Sequence, residues 1–235
     1  GGYLNLNQAN YRRELFVYGD YPLTFSAREK KPVQVRTHNT VEFARDLAQR
    51  MHARHLVLMA NCSWHITPAW LTFAAPYLDI LGAEAPRFAD AEFARAISYH
   101  KPCTDLPYDP RPEWEVARNL LYGIFPGHGN KVEVMAPLAQ TFRDLAAAGW
   151  EPVTYARANV PTVRVERYGR GPGMFLVLHN PEEEAATVTL TVDAQALGLG
   201  SFKAERRPDK TPVPVTDGKV QLTLQPRETL ALQLR

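Results

Sequence analysis

Two hydrophobic rhythms divide the chain. Up to about residue 150, short apolar runs alternate with stretches whose apolar residues return every three or four positions. Beyond about residue 160 they return every second position. The first rhythm predicts strand–helix units, and the second predicts antiparallel strands. Val41, Ala44, Leu47, Ala48 and Met51 make one helical face. Asn39 is its expected N-cap, with Glu42 three residues on, and the helix is expected to end near Arg54. Residues 55–61 then form an apolar run read as a buried strand. Pro68 opens a short helix over residues 67–75. A second apolar run, Tyr77-Leu78-Asp79-Ile80-Leu81-Gly82-Ala83, closes on Glu84-Ala85-Pro86. Asp90 is the expected cap of a helix over residues 91–97, and residues 98–104 read as a weaker strand. Pro112 starts a helix with Trp114, Ala117, Leu120 and Leu121 inward. A last short strand over 123–127 precedes a helix over 136–148 that stops at Gly149.

About four such units imply an α/β fold with a parallel sheet, half of an eight-stranded (β/α) barrel. The period-two segments over 163–167, 187–192 and 220–224 imply an antiparallel β-sandwich. Residues 173–180 read as its central strand, and Asp217-Gly218 as a hairpin turn. The expected division is a truncated half barrel over 1–159 and a C-terminal β-sandwich domain over 160–235. Residues 1–37 show little periodicity and many aromatics, and read as a short strand over 3–6 followed by a long irregular segment.

Charge narrows the function. Lys and Arg number 27 against 25 Asp and Glu, a net +2, and the basic residues are dispersed. This excludes an electrostatic nucleic-acid binder. No apolar stretch reaches the ~18 residues needed to span a bilayer. The first residues lack the basic and apolar regions of a signal peptide, so a cytoplasmic location is expected. A start at Gly1-Gly2 suggests a processed, tagged or truncated chain. Cys62 and Cys103 are expected to be reduced thiols, with neither a disulfide framework nor a metal. No cofactor is implied.

Glu84 follows the apolar run that ends at Ala83. In α/β folds, chemistry collects at the C-terminal ends of parallel strands. A carboxylate at that point is a candidate acid, base or nucleophile. Asp105 and Asp20 also occupy loop-like positions. Glu42, Glu92, Glu113 and Glu115 fall on helices and read as solvated faces, while Asp79 reads as a mid-strand acid with a hydrogen-bond partner.

The run Ala148-Gly149-Trp150-Glu151-Pro152-Val153-Thr154-Tyr155-Ala156-Arg157 before a strand-rich tail resembles the C-terminal part of (β/α)8-barrel glycoside hydrolases. So do Asn10-Tyr11-Arg12-Arg13-Glu14, Gly19-Asp20-Tyr21-Pro22-Leu23-Thr24-Phe25, Leu58-Met59-Ala60-Asn61 and Leu81-Gly82-Ala83-Glu84. The resemblance covers nearly the whole chain. The chain departs from it at Asn5 and Asn7, amides where such proteins would offer an acid. The resemblance implies hydrolysis of O-glycosidic bonds in small galactosides or glucosides by two carboxyl groups. Glu84 is the first of these, with Asp105 or Asp20 as the second. Asn61, His65, His100 and Lys101 are the expected hydrogen-bonding partners of a sugar, and Trp64, Tyr108 and Tyr21 its stacking partners.

Three alternatives stay open. One is a non-catalytic carbohydrate-binding or assembly subunit. Another is a Ser/His/Asp esterase using Ser63, although G-x-S-x-G is absent. The third is a metal hydrolase using His65, His100 and His128. The glycine-rich stretch 169–173 lies between strands and reads as a hairpin loop, not a phosphate cradle. A half barrel leaves open sheet edges, so a homo-oligomer that closes the gap is expected.

Overall fold

The computed structural model describes residues 9–62, 72–83, 88–107, 110–127 and 130–235. It divides into two compact units, Gly1–Pro86 and Arg87–Arg235.

The first unit opens with strands where an irregular segment was expected. β1 (Ala9–Asn10), β2 (Thr24–Ser26) and β3 (Lys31–Val35) form an antiparallel sheet in the order β1-β3-β2. β1 and β2, of two and three residues, are too short to show an alternating pattern, and β3 buries the adjacent Val33 and Gln34, so its burial does not alternate. Helix α1 (Arg36–His52) leaves β3 directly, so Asn39 lies inside the helix and is not its cap. The Glu42 carboxylate serves another segment. Its Oε1 accepts hydrogen bonds from the backbone N–H groups of Asp20 at 2.6 Å and Tyr21 at 2.9 Å. The apolar face is as the spacing predicts, with Val41, Ala44 and Ala48 buried. β4 (Met59–Cys62) and β5 (Ile80–Ala83) pair in parallel, Met59 opposite Ile80 and Cys62 opposite Ala83. Asp79 precedes β5 instead of lying within it. Its Oδ2 accepts from the Leu58 N–H at 2.6 Å and lies 2.9 Å from His52 Nε2.

The second unit continues with α2 (Phe88–Ser98), which places Asp90 inside the first turn. β6 (Cys103–Asp105), α3 (Glu113–Tyr122), β7 (Ile124–Pro126), α4 (Val132–Met135) and α5 (Ala139–Ala148) follow. β6 and β7 are parallel, Cys103 opposite Ile124 and Asp105 opposite Pro126. Cys103 is buried.

The antiparallel strands begin at Trp150. They are β8 (Trp150–Glu151), β9 (Ala156–Ala158), β10 (Arg164–Tyr168), β11 (Phe175–His179), β12 (Ala186–Val192), β13 (Ala204–Arg207), β14 (Pro212–Val213), β15 (Val215–Thr216), β16 (Lys219–Leu224) and β17 (Thr229–Leu234). One sheet runs β14-β13-β17-β11-β10-β8 and the other β15-β16-β12-β9. Their facing residues form the core, including Leu176, Leu178, Val188, Leu190, Val220 and Leu232, all at 0% exposure. Each such side chain contributes about 1.5–3 kcal/mol through burial.

All five residues of β11 are buried. Leu176 and Leu178 enter the core between the sheets, while Phe175, Val177 and His179 point the other way, toward α3, which packs on β11 and β17. Tyr168 joins the helical layer to the sheet by donating its hydroxyl to the Leu121 carbonyl at 2.9 Å. Gly123 ends α3 with φ +59, and a Cβ there would approach the Tyr168 ring to 2.9 Å. The Asp217-Gly218 turn between β15 and β16 has φ +49 and +71, as a two-residue hairpin requires. The 169–173 stretch joins β10 to β11 as a hairpin loop. Among the described residues no helix is long and apolar enough to cross a membrane.

Candidate active-site region

The C-terminal ends of the parallel strands carry the candidate chemistry. In the second unit β6 delivers Asp105, whose side chain is 1% exposed. Burying a carboxylate that deeply demands compensation. Arg111 supplies it, with Nε 3.0 Å from Asp105 Oδ2 and Nη2 3.3 Å from Oδ1. Asn119, one face of α3, donates to Oδ2 at 3.3 Å. Burial pushes the Asp105 carboxyl above the usual carboxylate range, while the Arg111 charge and the Asn119 and Arg111 hydrogen bonds oppose it.

The same arginine organises the loop after β6. Its Nη1 lies 3.0 Å from Glu115 Oε2, and its backbone N–H donates to Asn130 Oδ1 at 3.2 Å. Asn130 in turn donates to the Gly127 carbonyl at 3.4 Å. Gly127 admits no side chain, because a Cβ there would lie 1.9 Å from the Asp105 carbonyl oxygen. The strand ends of β6 and β7 are therefore held by one polar network, with both Asp105 oxygens engaged.

His100 and Lys101 precede β6 and sit at the end of the strand opposite to Asp105. The Lys101 carbonyl accepts from Arg95 Nη2 at 3.2 Å. The His100 ring packs edge-on against Tyr99, centroids 4.1 Å apart. The structure does not bring these two residues together with Asp105.

In the first unit, Asp20 and Tyr21 are neighbours on the turn held by Glu42. The Asp20 carboxylate is 83% exposed and lies 3.2 Å from Arg45 Nη2. The Tyr21 ring is tilted over His38, centroids 5.0 Å apart. Asn61 is exposed on β4, in register with Gly82 of β5. Glu84, Trp64, His65 and Tyr108 lie outside the described residues, as do Ser63 and His128. Among the described residues no group of three or more His, Cys, Asp or Glu is arranged to hold a metal ion.

Sequence reasoning missed two acids. Glu92 on α2 lies 3.5 Å from Arg164 and accepts the Tyr122 hydroxyl at 3.3 Å. Glu166 on β10 accepts the Trp150 indole N–H at 2.6 Å. Its carboxyl is raised by burial, and the neighbouring Glu92 charge acts in the same direction. Glu92 reads in the sequence as a solvated helix face, and the alternation over 163–167 gives Glu166 a sheet face without telling that helices cover it.

No protein-family model matches the chain, and no curated protein matches it in sequence. Solved structures do match. An alpha-galactosidase from Mortierella vinacea aligns with a TM-score of 0.57 at 9% identity, over 84% of this chain and 63% of its own. An alpha-amylase from Anoxybacillus, described as a new glycosyl hydrolase subclass, aligns with 0.53 at 11%, over 83% and 56%. A glycoside hydrolase family 30 subfamily 8 xylanase from Clostridium acetobutylicum aligns with 0.52 at 9%, over 84% and 60%. The fold is glycoside-hydrolase-like. At these identities the likeness concerns the fold alone. The chain spans between 56% and 63% of the length of these three structures.

Proposed function

We propose that the protein hydrolyses O-glycosidic bonds of small galactosides or glucosides through a pair of carboxyl groups. One observation carries the reading: short parallel strands and an antiparallel sandwich form a fold shared with three glycosidases, and Glu84 follows directly on one of those strands in sequence. Glu84 is the carboxyl assigned to the chemistry, because strand ends are where such folds place it. A carboxyl here either protonates the leaving oxygen or attacks the sugar.

Asp20 and Asp105 are the proposed sources of the second carboxyl. The open position of Asp20 suits contact with a substrate. The enclosure of Asp105 suits positioning of the loop after β6. The expected oligomer enters the reading as well. Val57 and Met59 are 65% and 43% exposed beside the outer edge of β4, a position that parallel strands normally bury. A second copy of the chain covering that edge is the proposed remedy.

The test is turnover of p-nitrophenyl α- and β-glycosides by the wild-type chain. Release of nitrophenol from one or more sugars is the expected result. A panel with no turnover on any sugar contradicts the hydrolase and favours a carbohydrate-binding subunit, the reading to which the fully engaged Asp105 is best suited.

A further inference from the structure

The second unit contains a cavity of about 380 Å³ that no part of the strand-end region lines. It lies between α2, the end of α3 and strands β9 and β10. Its polar wall is Glu92, Tyr122, Arg157, Arg164 and Glu166, and its apolar wall includes Val160, Pro161 and Val163. Pockets of a few hundred cubic ångströms that join an apolar surface to a few convergent polar groups are the usual form of small-molecule sites.

The polar wall is held in place from behind. The Trp150 indole fixes Glu166 through Oε2. The Tyr122 hydroxyl and Arg164 both approach Glu92 at Oε1. The second oxygen of each carboxylate accepts no hydrogen bond from a described residue. Two acceptor atoms are thus presented at one cavity, on carboxyl groups whose orientation is already set. Two carboxylates and two guanidiniums also cancel in charge, so the wall offers strong acceptors and strong donors without attracting an ion of either sign.

We propose that this cavity binds one neutral sugar ring, as an accessory site distinct from the strand-end region. A pyranose has the matching form. Its hydroxyls donate to carboxylates and accept from guanidiniums, and its C–H face lies on an apolar floor. The volume fits one ring and its nearest substituents. The carbohydrate class of the ligand rests on the glycosidase reading; the cavity and its paired carboxylates do not.

The experiment is titration of the full chain with D-galactose, D-glucose and D-xylose, followed by calorimetry and tryptophan fluorescence, with nitrophenyl-glycoside turnover measured on the same preparations. Trp150 is a built-in reporter because its N–H bonds to Glu166. The variants are Glu92→Ala, on a half-exposed helical position where alanine favours the helix, and Glu166→Gln, which keeps shape. Glu133→Gln, at an exposed helical acid that does not line the cavity, is the control. The expected result is saturable binding of at least one sugar, weakened roughly tenfold or more by Glu92→Ala or Glu166→Gln and unchanged by Glu133→Gln. Affinity unchanged in both cavity variants overturns the proposal, as does the absence of heat and fluorescence change with all three sugars. Turnover separates the two readings. Turnover without a cavity-dependent sugar leaves the hydrolase standing and removes this site, whereas cavity-dependent binding without turnover does the reverse.

Discussion

A carboxylate as enclosed as Asp105 stays in a fold only if donors surround it, and Arg111 and Asn119 are those donors. Removing the charge leaves Arg111 with Glu115 alone in a mostly enclosed site. We expect Asp105→Asn to cost about 1–3 kcal/mol. That corresponds to a fall in Tm of roughly 2–4 °C per kcal/mol for a chain of this size, measurable by calorimetry. If Tm holds while turnover collapses, Asp105 contacts substrate instead. Strand-end position marked Asp105 as important in the sequence. Its partners were hidden because Arg111 precedes a helix and Asn119 lies on one, and no spacing tells which side of a helix meets a buried acid. Glu42 was obscured in the same way: its three-residue spacing from Asn39 reads as a capping box, yet it serves a turn some twenty residues earlier.

Strand β11 shows how an element outgrows its own pattern. Residues 173–180 read as a central strand because they are apolar throughout, and helices on one side and the second sheet on the other account for that. The cost of full burial falls on His179, 2% exposed, with Nδ1 2.9 Å from Thr229 Oγ1. Burial first, and the Arg118 charge second, hold its pKa down at about 4, against an ordinary 6.5. The folded state therefore prefers the neutral ring. The stability this confers is complete above pH 6.5 and is lost as pH falls through 6.5 toward 4. Thermal unfolding of wild type and His179→Asn between pH 7 and 4 checks it. The wild type is expected to lose more stability across that window than the variant, and parallel curves would refute the assignment. Strands of β10, β12 and β16 were legible to within a residue or so, because one face of each meets the core and alternation survives. β1, β2 and β3 were not, since the first two are too short for a period to register and β3 buries two adjacent residues, Val33 and Gln34.

For the whole molecule, the two hydrophobic rhythms foretold the sequence of layers: parallel strands with helices, then an antiparallel sandwich. They foretold neither the compact division near residue 86 nor that antiparallel strands begin at Trp150. Pairing partners beyond the chain neighbour decide both, and a one-dimensional pattern does not carry them. The exposed apolar residues Leu56, Val57 and Met59 beside β4 lead to the expectation of self-association. Light scattering at micromolar concentration should return a mass above that of one chain, and Val57→Lys should lower it. A monomer with full activity would rule this out.

Glu84 carries the proposed chemistry. The decisive measurement is kcat of wild type and Glu84→Gln on whichever nitrophenyl glycoside the wild type turns over, with Tm recorded for both. Glutamine keeps the size of the side chain and removes the acid. The expected result is a loss of roughly 10²–10⁴-fold or more in kcat with Tm unchanged. Equal turnover by the two proteins would contradict it.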